Sequence, residues 1–125
     1  MQEPTNRMTV FEYIRELTRA EGFFELSMPE DALMVLDELP NFLRIRPEVL
    51  LLRVRTLLSM GHCKEAEAIA QDGVALNPGS GDALFCLAIA QAQLGKRASA
   101  KHSLTAALLL NPMLRHAAEE VLNEC

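Results

Sequence analysis

Two stretches of the chain, GHCKEAEAIAQDGVALNP (61–78) and GKRASAKHSLTAALLLNP (95–112), align without a gap at an offset of 34 residues. Both begin with glycine, carry alanine at the sixth position and end in Leu-Asn-Pro. One further step of 34 residues towards the N-terminus pairs Leu26 with Met60. Self-similarity at a fixed period is the mark of a repeat architecture, so the chain is predicted to be built from units of this length.

The shared residues suit two antiparallel helices joined by a tight turn. Glycine after an apolar helical run can take the left-handed conformation that ends a helix, and proline cannot donate the next helical hydrogen bond. Alanine in the second helix lets the first helix approach closely. The turn glycines are Gly61 and Gly95, the alanines are Ala66 and Ala100, and the terminal prolines are Pro78 and Pro112.

This pattern resembles the tetratricopeptide repeat (TPR), a helix–turn–helix unit of the same length. The resemblance covers residues 47–112 well and is strongest in the last repeat. Two residues, Arg53 and Gly73, depart from the repeat pattern. Arg53 takes a position that is normally apolar. The chain as a whole also resembles a short stand-alone bacterial TPR protein.

The resemblance implies an all-α fold, a right-handed α-solenoid of three TPR-like helix pairs plus a C-terminal capping helix. The first repeat is degenerate, because Ser27 replaces the turn glycine and Pro40 arrives early. Terminal repeats are commonly atypical because they cap the stack. We expect a flexible N-terminus at 1–8 and a single domain at 9–125, with repeats at about 9–46, 47–80 and 81–112 and a capping helix at 113–124.

Capping and proline signals predict seven helices and no strands. Thr9 and Glu12 form a possible capping box that opens the first helix. Pro29 and Pro47 suit the first turns of later helices. The expected helices run from Thr9 to near Ser27 and over about 29–39, 47–60, 63–76, 81–94, 97–110 and 113–123, with 41–46 as a connector.

Length and composition exclude several classes of protein. A chain of 125 residues can bury a core as one domain. Its net charge of -5 argues against nucleic acid as a partner, because binding to phosphates needs a basic surface. The longest apolar run, Ala83 to Ala90, is far shorter than the roughly 18 residues that span a bilayer. We therefore expect a cytoplasmic protein with no membrane partner.

Charge is unevenly distributed along the sequence. The first third is acidic, and four arginines, Arg44, Arg46, Arg53 and Arg55, follow it closely. One interpretation is that neighbouring helices pair these charges, or that both regions are solvated faces. The other is an electropositive mouth for an acidic partner segment.

No motif indicates catalysis, and no cofactor is expected. The chain lacks a nucleophile elbow, a phosphate loop and a dinucleotide fingerprint. A zinc site is disfavoured because no pair of ligands has the usual metal spacing. Its ligands would have to come from His62, Cys63, Cys86, His102, His116 and Cys125.

Candidate binding residues follow from the resemblance, since the first helix of each TPR pair lines a concave groove. Some TPR proteins hold the terminal carboxylate of a peptide with Lys and Asn side chains at groove positions. This clamp is not expected here, because apolar residues occupy most of those positions. The alternative is that the groove residues merely pack against neighbouring helices or against the terminal helix. The predicted partner-binding residues are Leu51, Arg55, Leu58, Phe85, Ile89 and Gln93.

The resulting hypothesis is a non-catalytic protein–protein interaction module, an adaptor or scaffold, that binds a peptide or helical segment in a mainly apolar groove. The alternative is a small TPR-type chaperone for a secreted or membrane-bound client. A homodimer is possible, because the apolar patch around Phe85 and Ile89 needs a cover. In the isolated protein, a second copy or the C-terminal helix would supply it.

Overall fold

The computed structural model describes residues 8–124, and every regular element in that range is helical. The expected flexible N-terminus lies outside the described residues except for Met8, which packs against the first apolar cluster. Eight α-helices and one 3-10 turn follow in order: α1 (Val10–Glu25), α2 (Pro29–Asp37), α3 (Asn41–Arg44), α4 (Pro47–Ser59), α5 (Cys63–Leu76), α6 (Gly81–Gln93), α7 (Arg97–Leu110), the 3-10 turn (Pro112–Leu114) and α8 (Arg115–Glu124).

The predicted capping box at the start of α1 is confirmed. The Thr9 side chain accepts a hydrogen bond from the backbone N–H of Glu12 at 3.1 Å. The Glu12 carboxylate accepts one from the backbone N–H of Thr9 at 2.9 Å. Both bonds satisfy donors that a helix leaves free at its N-terminus, and they lower the pKa of Glu12.

Equivalent helices start 34 residues apart. The second helices of the three pairs, α2, α5 and α7, begin at Pro29, Cys63 and Arg97. The first helices α4 and α6 begin at Pro47 and Gly81, and α8 begins one further step along, at Arg115. The capping helix therefore occupies the position of a fourth first helix.

The turn inside each pair has the same backbone geometry three times. Gly61 and Gly95 have φ values of +80° and +78°, as the sequence predicts, and Ser27 has φ +61° although it is not glycine. In each turn the next N–H donates to a carbonyl five residues back, as Met28 does to Phe23 at 2.8 Å. This is the Schellman ending of a helix.

Two features differ from the sequence prediction. The connector at 41–46 contains the extra helix α3, so the described residues hold eight helices rather than seven. Pro40 has no N–H to continue α2, and its carbonyl instead accepts the first hydrogen bonds of α3. The capping helix begins at Arg115, after the 3-10 turn, rather than at Met113.

Small residues set the spacing between the helices. Ala66 and Ala100 are both 0% exposed, which confirms their predicted positions at close helix contacts. At Gly73, a Cβ atom would lie 2.7 Å from Cδ1 of Leu50. The departure from the repeat pattern at Gly73 thus makes room for a leucine of α4.

The second departure, Arg53, is explained by a contact between repeats. Its side chain is only 14% exposed, and Nη1 lies 2.7 Å from Oδ1 of Asp37 at the end of α2. An arginine can bury its apolar stem and keep its charge at the surface. Arg53 therefore joins the first repeat to the second, as α2 packs on α4.

Candidate functional site

A cleft of about 380 Å³ opens between the first helices α4, α6 and α8. Four of the six predicted groove residues come together there, and α8 supplies the opposite wall. The lining residues are Leu51 and Arg55 of α4, Phe85 and Ile89 of α6, and Ala117, Glu120 and Val121 of α8.

The repeat explains why these side chains meet. Leu51 and Arg55 are one helical turn apart on α4, and Phe85 and Ile89 occupy the same two positions of α6, one period later. Residues four apart lie on one face of a helix, and α4 packs directly against α6. The two helices thus present equivalent faces to a common space.

Phe85 forms the floor of the cleft. It is 7% exposed and belongs to an apolar cluster with Leu104 of α7 and Ala118 of α8. Half-buried Leu51 and Ile89 pack against the same cluster. The C-terminal helix, one of the two covers expected for this patch, therefore closes one side of it.

Leu58 and Gln93 do not line the cleft. Leu58 lies near the end of α4 and packs against the cluster that holds Val54 and Cys86. Gln93 is the last residue of α6 and is exposed. Leu58 lies three residues beyond Arg55, and Gln93 lies four residues beyond Ile89.

The C-terminal helix was expected only as a possible cover for this patch, and none of its residues was among the predicted partner-binding residues. The signal was present, because Arg115 stands one full period after Gly81. Extending the repeat by this step places Ala117, Glu120 and Val121 on a first helix.

Arg55 is the one base in the cleft lining. Its guanidinium carbon lies 5.7 Å from the centre of the Phe24 ring of α1, a cation–π contact. Among the described side chains it forms none of the ion pairs. The guanidinium can therefore still donate hydrogen bonds to a carboxylate of a bound segment.

The other arginines of the basic cluster have internal partners. Arg53 pairs with Asp37 as described above, and Nε of Arg46 lies 3.1 Å from a carboxylate oxygen of Glu48. Arg44 donates to the backbone carbonyls of Leu39 and Asp37. Of these three arginines, only Arg53 pairs with a carboxylate of a neighbouring helix, whereas Arg46 and Arg44 make local contacts within their own segment.

Glu48 also ties α1 to α4. Its Oε2 accepts a hydrogen bond from the Tyr13 hydroxyl at 2.7 Å. Burial raises the pKa of Glu48, but the hydrogen bonds from Tyr13, its own backbone and Arg46 outweigh burial, so that its pKa is lowered. Glu48 is therefore a structural carboxylate that braces the helix carrying Leu51 and Arg55.

The cysteine of α6 and the candidate metal ligands were also considered as reactive groups near the cleft. Cys86, on the buried side of α6, has its pKa raised to about 12 because burial disfavours the thiolate. Among the described side chains, those of residues 8–123, no three His, Cys, Asp or Glu side chains converge as a metal site would require. Cys125, one of the zinc ligands considered from the sequence, lies outside the described residues.

Comparisons with known proteins identify the fold. The NMR structure of the first TPR domain of the human RPAP3 protein is similar to this chain, with a TM-score of 0.73 and 17% sequence identity. The match covers 89% of this chain and 90% of that one. No family model and no curated protein matches the sequence. The similarity to that TPR domain shows that the chain has a TPR-like fold, an all-α solenoid of helix pairs.

No helix in the described range is long and apolar enough to cross a bilayer.

Proposed function

We propose that this chain is a non-catalytic protein-interaction module that holds a peptide or helical segment of a partner protein in the cleft between α4, α6 and α8. The observation that carries the proposal is the convergence of Leu51, Arg55, Phe85 and Ile89 on one cleft with an apolar floor. The TPR-like fold supports it, because stacked helix pairs create extended binding surfaces.

The size and lining of the cleft suit anchoring side chains. Its volume of about 380 Å³ is near the lower end of the roughly 300–1,000 Å³ typical of ligand pockets. Such a space takes apolar side chains from one face of a segment, while the rest of the segment lies across α4 and α6. Arg55 is placed to fix the direction of the segment by pairing with a carboxylate.

Binding by a selected peptide tests this proposal. Peptides of about 16 residues are selected from a displayed library on the full chain, and their affinity is measured by calorimetry against variants. Leu51→Ala and Ile89→Ala should each weaken binding by roughly 10-fold or more, because a buried leucine or isoleucine is worth about 1.5–3 kcal/mol. Thermal unfolding of each variant shows whether the fold is retained.

Matched controls come from apolar residues on the second helices. Met34 of α2 and Leu109 of α7 are 62% and 81% exposed, so Met34→Ala and Leu109→Ala remove comparable side chains away from the cleft. The proposal expects both controls to bind as the parent protein does. Equal loss of affinity in the controls, or unchanged affinity in Leu51→Ala and Ile89→Ala, would place the binding surface elsewhere.

A further inference from the structure

We propose that the segment bound in this cleft is net basic, with apolar anchors flanked by lysine or arginine. This inference rests on the proposed function and adds the chemistry of the partner. It follows from the charges around the cleft: the charged lining residues are Glu120 and Arg55, and further carboxylates stand on the same first helices outside the lining.

The α8 wall is acidic. Glu120 lines the cleft, and its nearest basic group is His116 at 3.4 Å, which is charged only when protonated. Its neighbour Glu119 is 3.8 Å from Arg115 in a pair whose side chains are both well exposed. Such pairs on the surface of a single helix are weak, so both carboxylates are available to a bound cation.

The opposite end of the row of first helices is also acidic. Glu21 of α1 stands one period before Arg55 and is exposed. Phe24, one turn further along α1, contacts Arg55, which places this face of α1 beside the cleft. Glu21 takes part in none of the ion pairs among the described side chains.

Asp82 adds a third acidic position, at the start of α6. It stands three residues before Phe85, on the same helix, and is half-buried. Its polar contact is the neutral Nδ2 of Asn111 at 3.4 Å, at the long end of hydrogen-bond distances. The start of α6 favours this negative charge, but Asp82 takes part in none of the ion pairs among the described side chains.

The arginines that could have made the cleft basic are engaged elsewhere, in the contacts of Arg44, Arg46 and Arg53 with their own chain. The acidic first third of the chain, which reaches the cleft through α1, adds a long-range field of the same sign. Apolar contacts would supply most of the affinity, and the carboxylates would select among partners and speed association. A basic amphipathic segment satisfies both features of the surface.

Three synthetic peptides of about 16 residues test the inference. They share the same leucines at helical spacing and differ only in their polar positions, which are lysine, glutamine or glutamate. We expect the lysine peptide to bind at least about fivefold more tightly than the glutamate peptide at about 0.05 M salt. The difference should shrink at about 0.5 M salt, because salt screens exposed charges.

Charge-removing variants locate the effect. Glu21→Gln with Glu120→Gln should reduce the preference for lysine, whereas Glu38→Gln with Asp72→Asn removes the same charge from exposed positions at the end of α2 and on α5. An unchanged preference in the first pair, or an equal change in the second, would contradict the inference.

The outcomes separate this inference from the proposed function. If the glutamate peptide binds as well as the lysine peptide and Ile89→Ala still weakens it, the cleft binds segments but the inference is wrong. If none of the three peptides binds, or if the Ile89→Ala variant binds them with unchanged affinity, both the proposed function and the inference are wrong.

Discussion

Replacing Ser27 by glycine should stabilise the protein. Ser27 has φ +61° in the same turn where Gly61 and Gly95 have φ +80° and +78°. A side chain makes this left-handed conformation unfavourable, because Cβ approaches the following carbonyl oxygen. Ser27 is exposed, so its removal loses no packing.

The expected gain is modest because two effects oppose each other. Relief of the left-handed conformation is worth about 1–2 kcal/mol per residue. Glycine has more conformational entropy than serine in the unfolded chain, which reduces the stabilisation by about 0.4–1 kcal/mol. The net stabilisation for Ser27→Gly should be about 0.5–1 kcal/mol, which corresponds to a rise in Tm of about 2–4 °C for a domain of this size.

The reverse substitutions provide matched controls. Apart from the adjoining residues of the chain, no atom lies within 4 Å of where a Cβ would sit at Gly61 or Gly95. Gly61→Ser and Gly95→Ser should therefore cost only the free energy of placing a side chain in the left-handed conformation. Both should lower Tm by about the amount that Ser27→Gly raises it. Thermal unfolding followed by circular dichroism measures all three, and a lower Tm for Ser27→Gly would refute the equivalence of the three turns.

Three further predictions concern packing, pairing and reactivity. Ala100→Leu should lower the free energy of unfolding in urea by about 1–3 kcal/mol, because overpacking a buried helix contact is costly. Unchanged stability would contradict the repeat alignment that places Ala100 at this contact. Arg53→Ala should cost about 1 kcal/mol through loss of its stem packing and its pair with Asp37, and Asp37→Asn should cost less; equal stability of all three proteins would contradict this role. A thiol reagent should modify half-buried Cys63 in the native protein but Cys86 only after unfolding, as peptide mapping by mass spectrometry would show; equally fast modification of Cys86 would mean that α6 is not packed as described.

The repeat and its turns could be predicted from the sequence because they depend on local chemistry. Glycine at a left-handed turn and proline after a helix leave little choice of conformation. The bounds of α5 and α7 agree with the prediction. Ser27 shows the limit of this reasoning, because the fold imposes the turn at that position even without glycine.

The cleft could be predicted only in part. Leu51, Arg55, Phe85 and Ile89 followed from the position of each residue in its repeat. The α8 wall was expected only as a possible cover, because the resemblance to the repeat ends at Pro112 and assigns no groove positions in that helix. The pairing of Arg53 with Asp37 depends on how α2 meets α4, a contact between repeats that the periodicity alone does not specify.

Mapping a bound peptide by NMR tests the central claim most directly. The full chain is labelled with nitrogen-15 and titrated with the tightest peptide from the library selection. We expect the largest changes in chemical shift on Leu51, Ile89 and Val121, around the cleft. Changes concentrated instead on the second helices α2, α5 and α7, with the cleft residues unaffected, would contradict it.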